Sequence, residues 1–308
     1  MKKNQTFLSS NQAEQINEVL WIPESTSQPK AILQIVHGMA EYIERYQEFA
    51  EHLNQYNILV VGHDHLGHGQ SVDPTNPKYG YFNQTNSVSH LIEDVYQVTK
   101  RTKAAYPNTP YFIMGHSMGS FITRNYLKKY SKQVDGAIIM GTGGKEIGAT
   151  LIRPLTTVLN KFAPEKINNA IDKMAFGPFG QKFPEHPKPM CWLSLNQTNV
   201  DNYLADPLLG KVFTNNGFHT LFQLSSQANK KNWFKTIRKD LPILIISGED
   251  DPVGQYGKGP TTIAADLTNN KFKSVNLLLY PTLRHEILNE ENSHMIMRDI
   301  TNWLTDKL

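Results

Sequence analysis

The stretch "YFIMGHSMGSFITRNYLKKY" holds the residues best suited to chemistry. An apolar, β-rich run, Tyr111–Met114, passes into Gly115-His116-Ser117-Met118-Gly119, and a helical pattern follows at once. Gly-x-Ser-x-Gly between a strand and a helix predicts a nucleophile elbow. The turn is so sharp that side chains two residues either side of the serine would collide, and the serine oxygen is left projecting above the sheet. The helix that follows points its free N–H groups and positive dipole end at the same spot. A tight turn carrying an ordinary surface serine is the plainer alternative. The strand before the motif and the helix after it favour the nucleophile.

Such a serine needs a base, and the base needs an acid to orient it. On a sheet of this kind they follow in the order Ser, Asp or Glu, His. The run Pro242–Ser247 leads into Gly248-Glu249-Asp250-Asp251-Pro252, and Val275–Tyr280 leads into Pro281-Thr282-Leu283-Arg284-His285-Glu286. Both loops fall at the carboxyl ends of strands, where ligand chemistry sits in open α/β sheets. His285 is the expected general base, whereas three adjacent carboxylates leave the acid open. An oxyanion formed by attack also needs donors. One should be the backbone N–H of Met118. The second should come from "HGMAEY" after Ala31–Val36, where Gly38 permits close approach and the N–H of Met39 is the expected donor.

These groups need a scaffold. Apolar runs at Ala31–Val36, Ile58–Val61, Tyr111–Met114, Ala137–Met140, Ile243–Ile246 and Val275–Tyr280 read as buried parallel strands. Leu91, Val95, Val98, Thr102 and Ala105 share one helical face, and Ser293 is placed to cap a helix burying Ile296, Ile300 and Leu304. Alternating strands and helices imply an α/β protein with a mainly parallel sheet covered on both faces. A hairpin, Phe7–Ser9 pairing with Glu18–Ile22, would add an antiparallel edge.

About a hundred residues between Met140 and Pro242 exceed what one crossover needs. The expected division is a core of residues 1–143 and 236–308 with a helical cap, 144–235, inserted between core strands. The insert has an amphipathic stripe (Leu151, Leu155, Val158, Leu159, Phe162). It also holds Phe176, Phe179, Phe183, Trp192, Phe213, Phe218, Leu221 and Phe222. Most of these should fill a small second core, and the rest should face a pocket. The Gly-rich stretches at 141–145 and 254–259 lack the spacing of a phosphate-binding loop and read as turns.

Composition narrows the function further. The 308 residues carry a net charge of +3 and one cysteine, Cys191. The pairs Lys128-Lys129 and Lys230-Lys231 are isolated, without the basic, aromatic-interleaved stripe of a nucleic-acid surface. A lone cysteine excludes an intramolecular disulfide and a thiolate zinc site. No apolar stretch of signal-peptide length follows the opening lysines and none has the length of a membrane span, so the cytoplasm is the default compartment.

Several segments, in order, resemble the α/β-hydrolases, in particular the monoacylglycerol lipase and lysophospholipase branch, often described as serine aminopeptidase-like. They are "VHGMAEYIERY" (36–46), "GHDHLGHGQS" (62–71), "GHSMG" (115–119), "VDNYLADPLLG" (200–210), "ISGEDDPVG" (246–254) and "RHEILNE" (284–290). The resemblance implies an α/β-hydrolase fold and ester hydrolysis of a single-acyl-chain lipid, a monoacylglycerol or lysophospholipid, through an acyl-enzyme, with no cofactor or metal. It implies the triad Ser117, Asp251, His285, because the family's acid follows the first glycine of "GEDDP" by three positions. One departure is Leu66, where relatives carry arginine. The resemblance also bears on "VVGHDHLGHGQS" (60–71), where His63, Asp64, His65 and His68 could be metal ligands. In the family this is a compact loop beside the oxyanion donors, with Asp64 and His68 bonded to local backbone. No further ligand set stands out that would make a metal site.

The expected partner is therefore a small lipid or ester, with no nucleic acid, and with transient contact of the cap at a membrane surface; the oligomeric state is left open. A proline iminopeptidase-like peptidase or general carboxylesterase on the same scaffold is the rival. A peptidase needs pocket carboxylates to grip an amino terminus, for which the insert offers Glu146, Glu185, Asp201 and Asp206. A binding protein on an inactive hydrolase scaffold is the third reading, and the intact Ser, Asp, His set argues against it.

Overall fold

The computed structural model describes residues 1–24, 28–144, 147–185 and 188–308. The apolar runs form β1 (Lys2–Leu8), β2 (Gln15–Trp21), β3 (Ala31–Val36), β4 (Ile58–His63), β5 (Tyr111–His116), β6 (Gly136–Met140), β7 (Ile243–Gly248) and β8 (Val275–Tyr280). Among the described residues they make one eight-stranded sheet, ordered β1-β2-β4-β3-β5-β6-β7-β8. β4, β3, β5, β6, β7 and β8 pair in parallel, and β1 and β2 add an antiparallel edge. β3 to β7 are buried along their whole lengths, as parallel strands covered on both faces must be.

Alternate residues serve opposite faces. Leu33, Ile35, Val60, Phe112 and Leu244 meet Phe49 and Leu53 of α1 (Gln47–Asn54) and Ile296, Ile300 and Leu304 of α9 (Ser293–Thr305). Ile32, Val61, Ile113 and Ile245 meet Leu91 and Val95 of α2 (Ser87–Ala105), Ile122 of α3 (Met118–Tyr130) and Ile263 of α8 (Lys258–Asn269).

Three expectations about elements change. The N-terminal hairpin starts at Lys2, and its register pairs Phe7 with Ile16 and Glu18 with Gln5, so the expected pairing of Phe7–Ser9 with Glu18–Ile22 is out of step. A polar strand buried on one side only carries little periodic signal. Ala105 is exposed at the frayed end of α2, unlike the four buried residues of its stripe. Ser293 opens α9 from inside the helix. Its cap residue is Asn292, and no side chain makes the capping bond.

Between β6 and β7 lie α4 (Ile147–Phe162), α5 (Asn169–Phe176), α6 (Gln197–Ala205) and α7 (Asn215–Ala228). The expected second core forms only in part: Leu193, Tyr203 and Leu209 make a small separate cluster with Trp192 packed against it. Phe213, Phe218, Leu221 and Phe222 join the cluster on the α2/α3 face of the sheet, because α7 packs directly on α3. The stripe on α4 is largely uncovered: Leu155, which also lines the cavity described below, Val158 and Phe162 are exposed, Phe162 to 77%. Only Leu159 packs inward, and the side chain of Leu151 lies outside the described residues. Among the described residues no helix is long and apolar enough to cross a membrane.

Candidate active site

β5 ends at His116, and Ser117 turns the chain into α3 with φ 54° and ψ −120°. That is a strained region for a residue with a side chain, costing about 1–3 kcal/mol and persisting only where the surroundings enforce it. Here they do. Ser117 N–H donates to Met140 O at 3.0 Å, and Ser117 O accepts from Ser120 N–H at 2.9 Å and Ser120 Oγ at 2.5 Å. A Cβ at position 119 would lie 2.0 Å from Val36 O, so only glycine lets α3 start this close to β3. The N–H of Met118, at the first helical position, has no intrahelical partner.

The β7 and β8 ends deliver the other two groups. His285 Nδ1 stands 2.9 Å from Asp251 Oδ2, and both are buried. Asp251 is itself fixed: Val253 N–H donates to its Oδ1 at 2.8 Å and Ser247 Oγ to its Oδ2 at 3.3 Å. Of the three adjacent carboxylates, Glu249 is exposed and Asp250 half-buried, and Asp251 is the one at His285. The imidazole is confined on two further sides, by Trp192 with ring centroids 5.3 Å apart and by His116 at 4.7 Å.

The loop after β3 comes against the serine. A Cβ on Gly38 would fall 3.0 Å from Ser117 Cβ. Ser117, His285, Met39 and Met118 all line one cavity of about 620 Å³, whose other walls are mainly apolar: Phe121, Ile152, Leu155, Phe176, Phe179, Trp192, Leu221 and Phe222 among them.

The histidine-rich loop wraps the outside of this assembly. Asp64 accepts from Ile43 N–H at 2.8 Å, Gln70 N–H at 2.8 Å and Asn17 Nδ2 at 3.0 Å. His37 Nε2 accepts from His65 N–H at 3.0 Å, and His65 Nδ1 lies 3.2 Å from His63 Nε2. Burial pushes these imidazoles down, His63 to about 3 and His68 to about 4, so they are neutral. Leu66, the departure from the family pattern, lies in the core cluster.

Sequence reasoning missed a buried charge network beside the site. Glu41 Oε1 accepts from Tyr46 Oη at 3.1 Å and lies 3.0 Å from His116 Nδ1, while its Oε2 meets Arg45 at 3.2 Å. Arg45 also donates to Glu286 through its two terminal nitrogens, at 2.7 and 2.8 Å, and to Asn199 of α6 at 3.2 Å. Burial works against the charge on Glu41, but the His116 hydrogen bond and the Arg45 charge outweigh it and hold the carboxyl well below its usual range. Burial likewise opposes protonation of His116, yet the Glu41 contact leaves it raised. The signal was present as two glutamates within otherwise buried segments, Glu41 and Glu286, but the Arg45 that joins them reaches Glu286 across 241 residues of sequence.

The insert's carboxylates are otherwise engaged. Glu185 meets Arg284, Asp201 pairs with Lys188 and Asp206 accepts from Tyr42; Glu146 lies outside the described residues. The carboxylate from the insert that does line the cavity is Asp172 of α5, which sequence reasoning passed over. Burial raises its pKa, and its side chain has no partner among the described residues.

Residues 27–292 match the family model described as serine aminopeptidase, S33. The chain is 27% identical to the monoglyceride lipase of Homo sapiens, over 93% of this chain and 86% of that one. It is 24% identical to the monoacylglycerol lipase of Mycolicibacterium smegmatis, over 94% and 92%. Among solved structures it superposes on a thermostable carboxyl esterase from Bacillus coagulans in complex with glycerol, with a TM-score of 0.93, 25% identity and coverage of 99% and 98%.

Proposed function

The chain belongs to the serine aminopeptidase S33 family of α/β-hydrolases and is an ester hydrolase, and from that premise we propose that it cleaves a lipid bearing one acyl chain, through an acyl-enzyme on Ser117. The observation that carries the proposal is the single apolar cavity onto which Ser117 and the Asp251-backed His285 both open. In this reading His285 takes the proton from Ser117 as the serine attacks the ester carbonyl. The N–H groups of Met39 and Met118 hold the oxyanion. His285 then protonates the leaving alcohol, and water activated by the same ring releases the fatty acid. Asp251 fixes the tautomer of His285 and stabilises the imidazolium.

Residues 144–235 act as the cap over a core of 1–143 and 236–308, and their apolar side chains receive the acyl chain. Each methylene taken out of water contributes about 0.8 kcal/mol, so turnover should favour acyl chains that fill the cavity. The exposed face of α4 carries the proposed contact with a lipid surface. A monoacylglycerol is the substrate most consistent with the relatives' activities.

One observation favours a second reading. An unpaired Asp172 on the cavity wall could hold an amino group, as a peptidase requires. Wild type and Ser117→Ala, assayed on monoacylglycerols and on an aminoacyl-prolyl amide side by side, separate the two. The lipid reading expects monoacylglycerol turnover that falls by about 10⁴-fold or more in Ser117→Ala. Preference for the amide, or undiminished turnover without the Ser117 hydroxyl, would overturn it.

A further inference from the structure

The loop after β3 carries three consecutive backbone N–H groups, and two of them are taken. Gly38 N–H donates to Glu41 Oε1 at 2.5 Å, and Ala40 N–H donates to His68 Nε2 at 3.2 Å. The N–H between them, on Met39, has no partner among the described residues. Met39 is half-buried and lines the cavity beside Ser117, so its N–H is left for a group that enters that cavity.

The planes around that free donor are held by two imidazoles. His37 Nδ1 lies 2.8 Å from Gly38 O, so that nitrogen carries the proton and donates; Nε2 is then free to accept from His65 N–H, as it does at 3.0 Å. Gly38 O and Met39 N–H belong to one trans peptide unit and point in opposite directions. Anchoring the carbonyl on His37 therefore aims the N–H away from it. His68 works from the far side. Its Nδ1 lies 3.0 Å from Leu66 O, which fixes the proton there and leaves Nε2 as the acceptor for Ala40 N–H. Ala40 has φ 56°, a left-handed conformation that a residue with a Cβ seldom adopts unless it is held. Besides His68, Gly210 N–H donates to Ala40 O at 3.0 Å. The His68 ring is fixed in turn, stacked on Phe82 with centroids 5.4 Å apart and edge-on to Phe213 at 5.4 Å.

We infer that His68, which takes no part in the proton relay, is a positioning residue for the reaction: by accepting from Ala40 N–H it holds the loop so that, of the loop's three N–H groups, that of Met39 is the one presented to the oxyanion beside Met118. The inference rests on the proposed reading of Met39 as an oxyanion donor. It gives the histidine of "GHGQS" a chemical task beyond closing a turn.

Three substitutions separate positioning from packing. His68→Phe keeps the ring and its stacking but removes the acceptor. His68→Gln offers an acceptor at the reach of Nε2, and His68→Asn offers one only at the reach of Nδ1. Each is assayed for kcat and KM on a soluble p-nitrophenyl ester, for affinity toward a trifluoromethyl ketone that forms a bound oxyanion, and for its melting temperature. Loss of a whole oxyanion donor costs roughly 10²–10³ in turnover, so a mis-aimed one should lower kcat by about tenfold or more. The expected result is that Phe and Asn lose kcat and ketone affinity together, with KM within about threefold of wild type, while Gln retains most of both. Wild-type kcat in His68→Phe, or equal losses in Gln and Asn, overturns the inference. Should His68→Phe fail to fold, the Gln and Asn pair decides alone. A parallel Ser117→Ala keeps the two claims apart. Residual full activity there sinks the oxyanion reading itself, whereas an inactive Ser117→Ala beside an undiminished His68→Phe sinks only the role of His68.

Discussion

Two walls of the same cavity are built in different ways. The wall made by residues 190–210 is clamped to the loop that carries His285. Arg284 donates to Cys191 O at 2.7 Å, Glu286 N–H donates to Leu193 O at 2.7 Å, and Glu290 accepts from Ser194, Leu195 and Asn196. Arg45 ties Glu286 and Asn199 together from the core side. On the opposite wall, formed by α4 and α5, α4 rests on α7, with Ile152 and Leu159 packed against the core cluster that α7 joins. Its polar ties gather at one end, where the turn between α4 and α5 meets the start of α7: Asn216 Nδ2 donates to Asn160 Oδ1 at 3.0 Å, Asn215 Nδ2 to Ala163 O at 2.8 Å and Asn168 Nδ2 to Asn215 Oδ1 at 2.7 Å. Along the rest of α4, Arg153 donates to Ser226 at 2.7 Å, and the outer face is apolar and uncovered. The wall beside the imidazole is held as rigidly as the core, which suits a reaction needing sub-ångström placement. The far wall is anchored at the α4–α5 turn and has an uncovered apolar outer face along α4, the kind of less covered element that opens locally, which suits entry and accommodation of a flexible chain.

The largest effect that sharpens this contrast lies at the rigid side. Asp251→Asn keeps the shape of the loop but withdraws the charge behind His285, and loss of tautomer control in a Ser-His-Asp relay costs about 10⁴ in kcat. Asp250→Asn, one residue away and half-buried, should change kcat by less than about twofold. Steady-state kinetics on one soluble ester measures both. Equal effects at the two positions would mean that the 2.9 Å contact does not mark the acid.

The clamp itself gives the next effect. Arg45→Met leaves Glu41 and Glu286 buried without their cation, and breaking a buried ion pair from one side typically costs about 3–5 kcal/mol. Arg153→Met on the far wall should cost under about 1 kcal/mol, because its partner is a neutral serine at a half-exposed position. Urea midpoints compare the two directly. If Arg153→Met destabilised the protein as much as Arg45→Met, the two walls would not differ as described.

Much of the clamped half could be read from the sequence and much of the other half could not. Strands β3 and β8 coincide in extent with Ala31–Val36 and Val275–Tyr280, but only β3 is buried throughout; Asn276 interrupts the second run, and β8, an edge strand expected to be buried, is half-exposed. Gly-x-Ser-x-Gly announced its own backbone strain, and Ser117 has it. The choice between Asp250 and Asp251 was open from residues alone, since adjacent carboxylates on a loop differ only in where tertiary contacts turn them. Arg45 joins segments 241 residues apart, a pairing with no local periodicity to betray it. On α4 the stripe was visible but its partner was not. Leu155, Val158 and Phe162 have the spacing of a core-facing helix, and amphipathic spacing does not say whether the apolar side meets protein or something outside it.

That ambiguity can be resolved at Phe162, the most exposed of the three and absent from the cavity lining. Lys161 lies over its ring at 5.5 Å, so an apolar side chain and a cation share the end of α4, the combination that favours residence at a lipid interface. Phe162→Asp replaces an insertable ring with a charge that resists leaving water, and it touches neither Ser117 nor the clamp. Sedimentation with phosphatidylcholine vesicles containing phosphatidylglycerol should show a loss of roughly three- to tenfold in partitioning. Turnover of a soluble short-chain ester should change by less than about twofold. A matched loss on the soluble ester would instead place Phe162 in the path of the substrate, and unchanged vesicle binding would leave the outer face of α4 without the role given to it. Either result would turn the difference between the two walls into one of packing alone.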